Sequence, residues 1–206
     1  MTVAAKQERA SGRRETLLAA AAEIFFEHGY AATSIDAIIE RAGGSKRNIY
    51  NEFGNKEGLF AALVSTFAEK ALSPLVIEEI EGRDLRETLI VFGHQLMDIY
   101  MSPALIGVYR AVVAEASRHP DLGRTFYECG PARATSRLAE VLEAAKIRAE
   151  IQADDYFRIA DHFVGLIRDN LHLQVVLGLR PPPNEAETRH AVRSAVDLFL
   201  MGVKPR

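Results

Sequence analysis

A single cysteine, Cys129, stands in 206 residues, so no intramolecular disulfide can form and no paired-cysteine metal motif exists. Neither sign of charge dominates. The formal net charge is −3, and residues 1–60 carry eight Lys and Arg against eight Asp and Glu. That balance excludes a protein that coats nucleic acid wholesale, but it leaves room for a local cationic surface. No apolar run approaches the ~20 residues of a membrane-spanning helix. The opening MTVAAKQERASGRRET lacks the apolar core of a signal peptide, so the expected location is cytoplasmic. Catalytic signatures are missing as well: there is no GxSxG, HExxH, P-loop or GxGxxG. Glu187-x-x-His190 resembles half of a di-iron bundle motif, which requires two copies, and here there is one. No flanking cation or resolving cysteine equips Cys129 as a redox sensor. The chain therefore reads as a non-enzyme with no metal and no cofactor.

Alternation of β-branched residues and hairpin turn signals are also absent, and what remains is helical periodicity. The 48% hydrophobic content is ample for a core, and the fold class is all-α, with about nine helices. Residues 1–12 are small and polar and are expected to be disordered. From Arg13, Leu17, Ala21, Ile24, Phe25 and His28 recur on one stripe until Gly29 stops the helix. Arg13 and Arg14 are either a solvated face or a basic arm for a nucleic-acid backbone.

The most informative stretch is TSIDAIIERAGGSKRNIYNEF, residues 33–53. Thr33 with Asp36 forms a capping pair, and Ile35, Ile38, Ile39 and Ala42 give the buried face of a short helix. Gly43-Gly44 supplies a turn where positive φ costs little. Ser45 opens a second short helix whose apolar residues are only Ile49, Tyr50 and Phe53, which leaves Lys46, Arg47, Asn48 and Asn51 facing outward. Such a pair is a helix-turn-helix, whose second helix enters the major groove while the first crosses the backbone. No acid interrupts the cations Arg41, Lys46 and Arg47. Thr33 and Ser34, at a helix amino terminus, offer hydroxyls and backbone N–H groups to a phosphate. Ser45 is placed similarly on the next helix. Lys46 and Arg47 reach either phosphate or guanine, and Asn48 and Asn51 suit adenine, although Asn51 could equally cap the helix end.

Asn55 then caps a fourth helix with Leu59, Phe60, Leu63, Val64 and Phe67 on its stripe. Beyond Pro74 come long helical segments opened by Asp84 with Glu87, by Ser102-Pro103, after His119-Pro120, near residue 154, and by Asn184 with Glu187. The segment over 121–149 has a potential break at Gly130-Pro131. In the last two segments Phe163, Ile167, Leu171 and Val175, and then Val192, Val196 and Phe199, recur at helical spacing. Leu166, Leu173, Val176, Leu177, Leu198 and Leu200 widen each face. A helix apolar over that much of its circumference wants partners on two sides, either core on both or core and a second subunit. The spaced stripe is taken as the dimer interface.

The order of Gly-Tyr, Thr-Ser-Ile, AGGSK, IYNEF and NKEGLF over residues 13–60 resembles the amino-terminal domain of TetR/AcrR-family transcriptional regulators. ALIGVYRAVVAEASRHPDLGRTFYECGPAR is similar to the carboxy-terminal domain of the AefR-like branch. The resemblance implies a DNA-binding domain over 1–60 and a helical effector-binding and dimerisation domain over 61–206. It also implies phosphate contacts from Tyr50 and Lys56, and a small-molecule pocket among the middle helices whose filling releases DNA. Candidate pocket residues are His94, Met97, Tyr109, Val113, Phe126, Tyr127, His162, Leu166 and Asp169, an apolar set with few polar groups that suits a hydrophobic or aromatic effector. The expected partners are a palindromic double-stranded DNA operator, a second copy of the chain and the effector. A helical dimer that senses a ligand and acts through a protein partner is the alternative. Two positions depart from the family pattern. Gly44 replaces an apolar residue, which should loosen the turn, and Arg47-Asn48 replaces small residues, so base preference cannot be copied from a relative.

Overall fold

The computed structural model describes residues 3–72, 84–147, 150–152 and 155–203, and among them regular structure is entirely α-helical. In chain order the helices are α1 (Val3–Ala32), α2 (Ile35–Ala42), α3 (Lys46–Phe53), α4 (Lys56–Leu72), α5 (Leu85–Tyr100), α6 (Pro103–Glu115), α7 (Pro120–Cys129), α8 (Pro131–Ile147), α9 (Tyr156–Val176) and α10 (Glu185–Val203). Pro103, Pro120 and Pro131 each occupy a first helical position, where a missing N–H costs nothing. Asp84 caps α5 by accepting from the Arg86 backbone N–H at 3.1 Å. Asn184 and Glu187 make a reciprocal capping box at α10, each side chain accepting from the other's N–H, at 3.0 and 2.9 Å.

Two expectations at the amino terminus need correction. Residues 3–12 are helical, and α1 starts at Val3 rather than Arg13. VAAKQERA is built from strong helix formers, and Gly12 alone, costing about 1 kcal/mol against alanine, does not break the run. His28 is exposed rather than part of the buried stripe, while Leu17, Ala21, Ile24 and Phe25 are in the core. Gly29, at φ 76°, breaks the helix where a stop was expected, although residues 30–32 beyond the kink are again helical. The boundary expected beyond Pro74 lies outside the described residues.

The helices collect into two compact units, residues 1–66 with 103–127, and residues 67–102 with 128–206. In the first unit α1 lies along α6, and α2 bridges α1 and α3. Gly107 permits the close approach of α6 to α1: a Cβ there would stand 2.6 Å from the Phe26 Cα. Phe25, Tyr30 and Phe60 close the end of α1 onto α4 as a three-ring cluster with centroids 5.4–5.7 Å apart.

In the second unit α9 packs against α5, α8 and α10. Phe163 stacks on Phe92 at 6.2 Å and meets Phe199 edge-on at 5.0 Å. The stripe taken as the dimer interface is mostly this unit's own core. Phe163, Ile167, Val175, Val192, Val196 and Phe199 are buried within the chain, and Leu171 is half-buried. Regular spacing marks the most continuous apolar face, and a single chain buries that face first. Of the flanking residues, Leu173, Leu177 and Leu198 are 51%, 62% and 56% exposed, Leu166 and Val176 are half-buried and Leu200 is buried; Met201 is a further exposed apolar residue at 72%.

Candidate nucleic-acid interface

Local chemistry shapes the α2–turn–α3 unit. Ser34 is the N-cap of α2, its hydroxyl accepting from the Ala37 N–H at 3.1 Å. Gly43, at φ 74°, closes α2 by donating to the Ile39 carbonyl at 2.7 Å, and Gly44 follows at φ 114°. Ser45 caps α3, accepting from the Asn48 N–H at 3.4 Å. Ile38 and Ile49 are completely buried and pin one side of each helix. The opposite side is therefore polar and wet: Ser34, Ser45, Lys46, Arg47, Tyr50 and Asn51 are exposed, and Asn48 is half-buried.

The cations are not equally available. Arg41 is drawn back onto α1, pairing with Glu23 and Glu27 at 2.9 Å each, hydrogen bonds that hold its guanidinium in the charged form. Lys46 meets Asp36 across the turn at 2.8 Å, which raises its pKa. Asp36, expected as a capping partner, thus serves as the counter-ion of Lys46 on α3. Arg47 stays exposed at the second position of α3. Arg13 and Arg14 are neither idle nor reaching outward. The Arg14 Nε lies 3.4 Å from Glu52 and its guanidinium 5.8 Å from the Phe53 ring, while Arg13 lies over Gly44. Arg14 thus braces α3 against α1 and Arg13 lies against the turn before it, roles without a local sequence signal.

Two expected contact residues are turned inward. Thr33 is buried, its hydroxyl donating to the Gly29 carbonyl at 2.6 Å, and Ser34 takes the capping role assigned to it. Two adjacent cap-forming residues allowed either register, and the bond of the Thr33 hydroxyl back to Gly29 leaves the cap to Ser34. The Lys56 Nζ donates to the carbonyls of Tyr30, Thr33 and Ala31 at 2.9, 3.1 and 3.5 Å. It also lies 4.4 Å from the centroid of the Tyr30 ring. Burial lowers the Lys56 pKa and pushes the Tyr30 phenol up to about 12, with Glu57 adding to the latter. Gly58 permits the tight junction here, because a Cβ would run into the Phe53 carbonyl.

The nine candidate pocket residues fall in different places. Tyr109, Val113, Phe126 and Tyr127 belong to the first unit and His94, Met97, His162, Leu166 and Asp169 to the second. Tyr109 and Phe126 meet edge-on at 6.0 Å, whereas Val113 and Tyr127 are exposed. Met97 is buried in the core of its unit and His94 is half-buried. His162, Leu166 and Asp169 line an open groove between α9 and α10, together with Gly165, Ala191 and Leu198. Cys129 is half-buried at the end of α7, and no cluster of metal-ligating side chains occurs among the described residues. No single helix among them is long and apolar enough to cross a membrane.

Residues 17–63 match the model for bacterial regulatory proteins of the tetR family, and residues 87–202 match the AefR-like transcriptional repressor C-terminal domain. Among solved structures, the flavonoid-responsive regulator FrrA is 33% identical with a TM-score of 0.72, covering 95% of this chain and 99% of FrrA. A TetR-family regulator from Mesorhizobium loti is 25% identical with a TM-score of 0.79, covering 96% and 99%. The HTH-type transcriptional repressor ComR of Escherichia coli is 40% identical over 70 residues, 32% of this chain and 33% of ComR. An HTH-type transcriptional regulator of Mycobacterium bovis is 27% identical over 192 residues, 93% of this chain and 87% of its own.

Proposed function

The chain belongs to the TetR family of transcriptional regulators, whose members named above are DNA-binding proteins and not enzymes, and from that membership we propose a repressor that binds a palindromic operator as a homodimer and is released by a small apolar effector. The observation that carries the reading is the exposed polar side of α2 and α3, set by Ile38 and Ile49 beneath it. Ser34 and Ser45 meet phosphates at two helix amino termini, and Tyr50 and Lys46 add backbone contacts. Arg47, Asn48 and Asn51 read base edges, Arg47 at guanine and the amides at adenine. The operator half-sites lie about one helical turn, ~34 Å, apart.

Dimerisation uses the outward side of α9 and α10, where Leu166, Leu173, Leu177, Leu198 and Met201 leave an apolar surface after the core stripe is buried. An aromatic or polycyclic effector is supported by the full-length likeness to a flavonoid-responsive relative. The effector acts by binding the released state more tightly than the DNA-bound one.

The test is fluorescence anisotropy on the intergenic DNA beside the gene, repeated against flavonoids and other aromatic compounds. Salt-dependent, sequence-selective binding that one compound class reverses is the expected result. Failure to select any sequence, with or without those compounds, overturns the reading. Arg47→Ala should cost ~1–3 kcal/mol and relax preference at one base position. Uniform weakening on every sequence would make Arg47 a phosphate contact instead.

A further inference from the structure

The ammonium of Lys56 has three N–H donors, and three backbone carbonyls surround it: Tyr30, Thr33 and Ala31, at 2.9, 3.1 and 3.5 Å. The Tyr30 ring lies on a further side, 4.4 Å away at its centroid, and is itself held by Phe25 and Phe60. A lysine so engaged has no donor left for a phosphate. Those carbonyls belong to the end of α1 and the link into α2, immediately before the Ser34 cap. Lys56 is the first residue of α4, and the Asn55 side chain fixes that first turn by accepting from the Gly58 N–H at 2.7 Å. One cation therefore ties the start of α4 to the start of α2.

We propose that Lys56 is a positioning residue, which acts on DNA binding by holding the Ser34 end of α2 in place and makes no phosphate contact of its own. The inference rests on the proposed function in taking the α2 amino terminus as a DNA-backbone site. Its physical content is the orientation of that terminus. When the ammonium is removed, three carbonyls lose a charged donor, and the link between α1 and α2 is no longer drawn toward α4. The cap at Ser34 survives chemically but is presented loosely.

The experiment uses the full-length chain with Lys56→Met, which keeps the apolar stem over Tyr30, and Lys56→Arg, which keeps the charge but replaces the compact ammonium with a planar fork. Without DNA, hydrogen exchange should accelerate at the amides of residues 34–37 in Lys56→Met, with the α9 and α10 amides unchanged as the internal reference. Unchanged exchange at 34–37 overturns the proposal whatever happens with DNA, and so does acceleration throughout the chain, which would mark a general loss of stability. On the wild-type operator, Lys56→Met should weaken binding roughly tenfold, the scale of one or two charge-assisted hydrogen bonds, and leave the slope of log K against log salt intact. A slope lower by about one unit would mark a lost phosphate contact and overturn the proposal. Lys56→Arg separates the same alternatives from the other side: a phosphate contact tolerates it, whereas the three-carbonyl site does not. In a double-mutant cycle, Ser34→Ala should cost less affinity in Lys56→Met than in wild type, since the two act through one helix end. Strict additivity counts against it. If the wild type binds no operator at all, the DNA reading fails, while the exchange result still decides whether Lys56 positions α2.

Discussion

The guanidinium of Arg13 lies over the glycine turn of the helix-turn-helix, its Nη2 3.0 Å from where a Cβ on Gly44 would stand. Gly44 itself is at φ 114°, outside the conformations that L side chains adopt comfortably. These two facts explain a residue that looks like a defect in sequence. The turn needs glycine for its backbone, and the vacant side-chain position admits an arginine from α1.

Restoring a side chain at Gly44 should therefore destabilise rather than tighten the turn. Gly44→Ala is expected to cost about 1–3 kcal/mol from backbone strain, with displacement of Arg13 in addition. Gly12→Ala provides the contrast: that glycine lies within α1 with nothing within 4 Å of its Cβ position, so alanine there should stabilise by about 0.5–1 kcal/mol. Urea unfolding of both variants checks the pair of signs. Equal stability of Gly44→Ala and wild type would show that the turn does not require this glycine.

Features decided by a few neighbouring residues were legible in the sequence, and those decided by distant contacts were not. Ser45, Asp84 and the Asn184–Glu187 box cap the helices they were expected to cap, because a cap is chemistry within four residues. Thr33 and Ser34 are both cap-forming residues, and what separates them is that the Thr33 hydroxyl bonds backward to Gly29, four residues earlier, while the Ser34 hydroxyl bonds forward to Ala37. The fate of Lys56 depends on carbonyls 23 to 26 positions earlier in the chain. The pairing of Arg41 with Glu23 and Glu27, and of Arg14 with Glu52, likewise has no local signature. In α9 and α10 helical spacing identified the apolar stripes correctly. Which stripe meets the chain's own core is set by packing against α5 and α8, and spacing carries no information about that.

Gly107 offers a test of how α1 is held. A Cβ there would meet the Phe26 Cα and Cβ at 2.6 Å each, so the obstacle is partly backbone and cannot swing away. Gly107→Ala should push α6 from α1 and cost about 1–3 kcal/mol by overpacking. Phe26→Ala removes the ring but leaves the Cα and Cβ in place, so it should rescue Gly107→Ala incompletely. Full rescue in a thermal-unfolding comparison would mean that the Phe26 ring, and not the α1 backbone, sets the approach.

His172 gives the stability of the second unit a pH dependence of definite sign. It is buried in α9 beside the Tyr100 ring, 5.5 Å away at the centroid. Burial, and then the charge of Arg168, lower its pKa from 6.5 to about 4. The folded state therefore holds His172 neutral over a range in which the unfolded chain takes up a proton. Between pH 6.5 and about 4 the unfolded state binds more protons, so stability rises with pH there and is lost as pH falls from 6.5. The loss attributable to this group is at most about 3.5 kcal/mol, since each tenfold weakening of proton affinity on folding is worth about 1.4 kcal/mol. Below pH 4 it levels off, because the imidazole is then protonated in both states. Carboxylates titrate in the same window, so the measurement is a difference: denaturant unfolding of wild type and His172→Gln at about pH 7, 5.5 and 4.5, points chosen to bracket the linkage window. Glutamine cannot ionise, and its stability should fall less steeply than that of wild type across those three points. Parallel curves would show that His172 contributes nothing to the acid sensitivity.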